Sequence, residues 1–170
     1  YHIVNLFLHI FSAILLFLIV GVLFKKMGIA FWAGLLFLIH PVQTEAVTYI
    51  SGRADLLLVF FLFLSFYFLL LSQKTVKYKR GTTFYMVSLL SFILALFSKE
   101  TAVVFPALVL LYFLILTDYR FGRVFFKKIL KISEPFIILS GIFIVLRIVV
   151  LNFDDTFTTA GDNIIHRTLI

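Results

Sequence analysis

His40, Glu45, Arg53 and Asp55 fall within sixteen positions of a chain that is 63% hydrophobic. A carboxylate at a partly buried interface is a candidate general base. A guanidinium presents a planar fork that suits phosphate oxygens. Glu45 is thus a candidate base and Arg53 a candidate phosphate ligand. Each residue also has a plain structural reading. Glu45 can be solvated or paired with Arg53. Arg53 and Asp55 can form a pair that eases the start of a helix, with Asp55 near the positive end of its dipole. His40 precedes Pro41 and can simply end a helix.

Three further groups carry polar chemistry. Lys99 and Glu100 lie between two apolar runs with almost no loop. Burying a charge at the bilayer centre costs on the order of 2.5–3.5 kcal/mol, so this pair must lie near an interface or face a polar cavity. It is either a neutralised pair at a bend or a lysine that contacts an anion. Arg147, inside IFIVLRIVV, either snorkels to the headgroups or supplies a second phosphate contact. His2, Asn5, His9 and Ser12 are spaced 3, 4 and 3 apart, which puts them on one helical stripe. The stripe either makes helix–helix hydrogen bonds or lines a site. No zinc site is expected, and no residue is named as a metal ligand: there is no cysteine and no HExxH. No Walker loop, GxGxxG or GxSxG occurs. Asp154 and Asp155 read as a solvated turn.

The elements that must position these groups follow from hydropathy. With 170 residues, mean hydropathy +1.16 and 18% aromatic residues, the chain has more apolar surface than a soluble domain can hide. It reads as all-α, a polytopic membrane bundle of about six transmembrane helices. The spans fall near 1–24, 29–40, 56–71, 83–97, 102–117 and 135–151. A short interfacial helix over 43–51 follows the second span. Gly28 marks a tight turn after Lys25 and Lys26. One helix over 82–117 would be about 54 Å long against a hydrocarbon core of about 30 Å, which places a bend at Ser98-Lys99-Glu100.

Orientation follows from the basic residues. Six spans put eleven of the fifteen Lys and Arg residues on one side, in loops 25–28, 72–81 and 118–132. The positive-inside rule makes that side cytoplasmic. The net charge of +7 then reflects cytoplasmic loops and not a nucleic-acid partner. Residues 40–55, 98–101 and 152–170 come to the extracytoplasmic face. The first residue, Tyr1, already lies in an apolar run, so the chain reads as a fragment of a longer protein and not as a signal peptide.

HPVQTEAVTYISGRADLL, from His40 to Leu57, resembles the HP-x-x-TEAV…GRADLL loop of the transmembrane, tetratricopeptide-repeat-containing O-mannosyltransferases and their bacterial relatives. The opening YHIVNLFLH, SKE at 98–100 and the His166-Arg167-Thr168 tail are similar to further segments of that family. Eukaryotic members usually carry His where this chain has Gln43, which points to a prokaryotic relative. The plasma membrane is then the expected location, or the endoplasmic reticulum membrane in a eukaryote.

The resemblance implies a GT-C-like glycosyltransferase domain of which residues 1–170 are one part. An N-terminal helix, the first outer loop, later spans and C-terminal repeats would lie outside it, so the fragment alone is expected to be inactive. A sugar, expected to be mannose, would pass from a polyprenyl- or dolichyl-phosphate donor to Ser or Thr hydroxyls of a protein acceptor. No tightly bound cofactor is implied, and a divalent metal is left open. Arg53, Lys99 and Arg147 would hold the donor phosphate. Glu45, Asp55 and Glu100 would support the chemistry, with the principal base in the first outer loop. His2, Asn5, His9 and His40 would line the site. The competing readings are a transporter, with the same charges along a pathway, and a non-catalytic membrane anchor for a repeat-containing interaction protein.

Overall fold

The computed structural model describes residues 2–42, 52–116 and 123–151. The expected interfacial helix over 43–51 lies outside the described residues. Six α-helices occur among those that are described: α1 (His2–Phe24), α2 (Met27–Ile39), α3 (Arg53–Lys74), α4 (Tyr78–Ser98), α5 (Phe105–Leu116) and α6 (Arg123–Leu151). A 3-10 turn, Glu100–Val104, joins α4 to α5. The chain is an all-α helical bundle, as its hydropathy requires. Among the described residues four stretches are long and apolar enough to cross a membrane: α1, α3, α4 and Ile129–Val149 of α6. Met27–Ile39 and Glu100–Ile115 are shorter apolar helices. Large apolar side chains face outward, among them Trp32, Phe97 and Val149, as a lipid-facing surface demands.

α1 and α2 form a tight hairpin. Its turn differs from the sequence expectation. The left-handed residue is Lys25, with φ 55°, and its N–H bonds the Gly21 carbonyl at 3.1 Å. Gly28 instead lies in the first turn of α2, in open space. The carbonyls at the end of α1 need a cap at the residue that leaves the helix, and that residue is Lys25. The seam is built on small residues. A Cβ added at Gly34 would come within 3.1 Å of the Phe17 Cβ and 3.2 Å of the Ala13 carbonyl. Ala30 is fully buried. Close backbone approach is a common way for helices to associate where lipid removes the hydrophobic drive.

α3 and α4 are fastened by two buried serines. Ser65 donates to the Ser88 carbonyl at 2.9 Å, and Ser88 donates to the Ser65 carbonyl at 2.7 Å. At the far end the Lys74 ammonium donates to the Val22 carbonyl, which brings the C-terminal ends of α1 and α3 together. α4, α5 and α6 meet at Phe92, Phe105 and Phe136, whose ring centroids are 5.2, 5.4 and 5.5 Å apart. Phe92 and Phe136 are fully buried, so this trio is the apolar centre of the second half.

α6 begins at Arg123, earlier than the start near 135 that its apolar run suggested, and Pro135 lies inside it. Proline has no N–H for the carbonyl of Lys131, and its ring crowds that turn. The Tyr85 hydroxyl donates to the neighbouring Ile132 carbonyl at 2.8 Å. A side chain from α4 therefore satisfies backbone in the disturbed turn, which is how membrane helices tolerate an internal proline.

Candidate functional site

The antiparallel order places one set of helix ends together: the starts of α1 and α3, the ends of α2, α4 and α6, and the 3-10 turn. Most of the charges singled out in the sequence that are described lie at this rim.

Two ion pairs organise it. Lys99, at the break after α4, pairs with Asp55 in the first turn of α3. Glu100, one residue on, pairs with Arg147 in the last turns of α6. The break itself explains this geometry. Lys99 is extended, with φ −159° and ψ 140°, so consecutive side chains leave in different directions. One reaches α3 and the other α6. Arg147 therefore has a carboxylate partner and does not merely snorkel. The side chains are 40% and 48% exposed in the first pair and 31% and 49% in the second. Pairs this open contribute little to stability, roughly 0–1 kcal/mol each, and their cations remain within reach of an anion from outside. Arg53 opens α3 and is half-buried, two residues before Asp55.

A groove of 470 Å³ leads to Arg147. Ile93, Leu96 and Phe97 of α4 and Leu139, Phe143 and Leu146 of α6 form its walls. It is apolar along its length and ends at a cation. A long-chain phosphate has the same two-part character.

The polar stripe of α1 is buried over three of its four positions. Asn5, His9 and Ser12 are 1%, 4% and 1% exposed, whereas His2 is exposed. Ser12 turns back to the Leu8 carbonyl at 2.8 Å. His9 Nε2 lies 3.1 Å from the Leu38 carbonyl at the end of α2, and its ring sits against Phe37. A carbonyl can only accept, so Nε2 is the donor in this contact. Among the described residues Nδ1 has no hydrogen-bond partner. His40 is exposed, and its Nδ1 accepts the Val42 N–H at 3.2 Å, which turns the chain after α2.

Glu45, Asp154 and Asp155 lie outside the described residues. Among the described residues no three His, Asp or Glu side chains come close enough to hold a metal ion. Sequence reasoning missed the buried serines, because Ser65 and Ser88 are isolated in apolar runs and only pairing across helices gives them meaning. It also missed a cavity of mixed lining at the opposite end of the bundle. Lys127, Lys131 and Glu134, spaced as one helical stripe, are the signal that could have found it.

Comparison with characterised proteins found matches over part of the chain. The chain is 42% identical over 67 residues to human protein O-mannosyl-transferase TMTC1, which covers 39% of this chain and 8% of that protein. It is 36% identical over 104 residues to Drosophila melanogaster protein O-mannosyl-transferase Tmtc1, covering 61% of this chain and 12% of the relative. Human protein O-mannosyl-transferase TMTC4 is 38% identical over 79 residues, 39% of this chain and 11% of that protein. The matched segments are thus a small part of each relative's length. No family model matches, and no solved structure matches significantly. Over these segments the chain is similar to proteins named protein O-mannosyl-transferases.

Proposed function

We propose that this chain is part of a membrane glycosyltransferase that moves mannose from a polyprenyl- or dolichyl-phosphate donor to Ser or Thr hydroxyls of proteins on the extracytoplasmic face. Identity of 36–43% to proteins named O-mannosyl-transferases carries the reading. The rim supports it by supplying what such a donor requires. The isoprenoid chain lies in the α4–α6 groove, and its phosphate meets Arg147, with Lys99 and Arg53 as further cations. The acceptor hydroxyl oxygen attacks the anomeric carbon. The bond from that carbon to the phosphate oxygen breaks, and the lipid phosphate leaves with the bonding pair. A carboxylate takes the hydroxyl proton.

Asp55 and Glu100 hold Lys99 and Arg147 in place, Glu45 supports the same wall, and the principal base is supplied from outside these 170 residues. The cations stabilise negative charge that grows on the leaving phosphate, the kind of contact worth about 10²–10³ in rate when one donor is removed. His2, Asn5, His9 and His40 line the neighbouring wall. Gln43 favours a prokaryotic plasma membrane as the location.

The test uses the full-length protein, polyprenyl- and dolichyl-phosphate mannose in parallel, and a Ser/Thr-containing acceptor. Lys99→Ala and Arg147→Ala should each lower mannose transfer by about a hundredfold or more. Transfer at the wild-type rate in both variants would remove these cations from the site. A wild-type protein that transfers no sugar would overturn the activity itself.

A further inference from the structure

At the end of the bundle opposite the ion-paired rim, a cavity of 700 Å³ opens between the α3–α4 turn and the early part of α6. Gln73, Thr75, Tyr78 and Thr82 line one side, and Lys131 and Glu134 the other. From these residues we infer that the cavity binds the headgroup of an anionic phospholipid from the leaflet at the basic end of the bundle.

Depth is the first support. Lys74 closes one membrane-crossing helix, Tyr78 opens the next, and the apolar stretch of α6 begins at Ile129. The cavity therefore lies where hydrocarbon meets headgroups, at the level of the phospholipid phosphates. Val76, at the tip of the turn, is 98% exposed, and Tyr78 is 87% exposed. An aliphatic and an amphipathic aromatic side chain standing out at this level suit the interface.

Charge is the second. Among the described residues, the two segments around the cavity carry Lys77, Lys79, Arg80, Lys127 and Lys131 against one carboxylate, Glu134. No ion pair joins Lys131 to Glu134 in the structure, although their spacing on one helix face would permit it. The ammonium of Lys131 is thus available to a phosphate. Glu134, three residues on, accepts from a hydroxyl of the same headgroup, and the Gln73 amide can do either. Basic pockets between membrane helices are common lipid-headgroup sites.

The shape of α6 is the third. Its internal proline and the Tyr85–Ile132 hydrogen bond lie in the cavity wall and fix the turn that carries Lys131. The cation is held by a braced backbone and not by a loose loop.

The experiment reconstitutes the full chain in nanodiscs of phosphatidylcholine and phosphatidylglycerol at four to one, then counts retained lipids by native mass spectrometry. The wild type should retain phosphatidylglycerol in excess of its share. Lys131→Gln should lower that retention about fivefold, the effect of one surface lysine on an anionic lipid. Lys131→Arg should preserve it, which separates loss of charge from loss of fold. Lys26→Gln, at the same end but outside the cavity, should leave it unchanged. Retention in proportion to abundance would overturn the inference, as would an equal loss in Lys26→Gln. Displacement of the lipid by soluble glycerol phosphate would also overturn it, by making the ligand a free phosphate compound.

Discussion

Lys99 and Asp55, 44 positions apart, close an ion pair between the break after α4 and the first turn of α3. Their openness to solvent separates two roles that a buried pair would confound. Removing either charge should cost no more than about 1 kcal/mol of stability. Exchanging them, as Asp55→Lys with Lys99→Asp, should recover that stability while leaving sugar transfer low, because the cation then sits on the wrong helix. Thermal unfolding of the purified variants and transfer assays on the full-length protein check the two halves. Recovery of transfer in the exchanged protein would show that the pair serves the fold alone.

The serine pair predicts a coupling. Ser65→Ala and Ser88→Ala each remove one hydroxyl donor from a reciprocal arrangement. Each acceptor is a backbone carbonyl that survives the substitution, so a double-mutant cycle reads only the hydroxyl–hydroxyl contact at 3.2 Å and should give an interaction of no more than about 0.6 kcal/mol. Unfolding measured in detergent provides the number. An interaction above about 1.7 kcal/mol would mean that the two carbonyl bonds form only together.

The α1–α2 hairpin predicts changes of opposite sign. Gly34→Val drives a branched side chain into Phe17 and the Ala13 carbonyl and should cost about 1–3 kcal/mol. Lys25→Gly should stabilise the turn by up to about 1 kcal/mol, because glycine adopts the left-handed conformation without the Cβ penalty. Midpoints of thermal unfolding for the two variants should move in opposite directions.

Tyr85→Phe keeps the ring against Phe136 and removes the hydrogen bond to the Ile132 carbonyl. The expected loss is about 0.5–1.5 kcal/mol. Amide hydrogen exchange should rise in the turn around Pro135 and not at the far end of α6. Uniform exchange along α6 would show that the tyrosine braces nothing local.

The helices were legible because lipid sets one rule for every helix, although only four of the six described are long enough to cross a membrane. Apolar runs read directly as helices, and the length limit on 82–117 located the break at Lys99. The rim charges were legible as a group because each interrupts an apolar run. Their partners were not. Nothing in the local sequence says that Lys99 turns to Asp55 and Glu100 to Arg147, since that follows from one extended residue at the break. The start of α6 was misplaced for a related reason. Proline at a hydropathy edge reads as the first residue of a helix, and only a tyrosine from another helix makes it tolerable inside one. The turn after α1 was misplaced because glycine is the usual left-handed residue, while here the helix ends at a lysine.

The brevity of α2 has a consequence for the membrane itself. Thirteen helical residues reach about 20 Å, against a hydrocarbon thickness of about 30 Å. The hydrophobic mismatch is greatest beside His40, where α2 stops, and lipids there must thin or tilt to meet it. Headgroups and water are drawn inward at that corner of the bundle. A phosphate carried on a long hydrocarbon chain would ride down with them, below the level at which it floats in undisturbed bilayer. Its depth beside His40 would then be set by the length of α2.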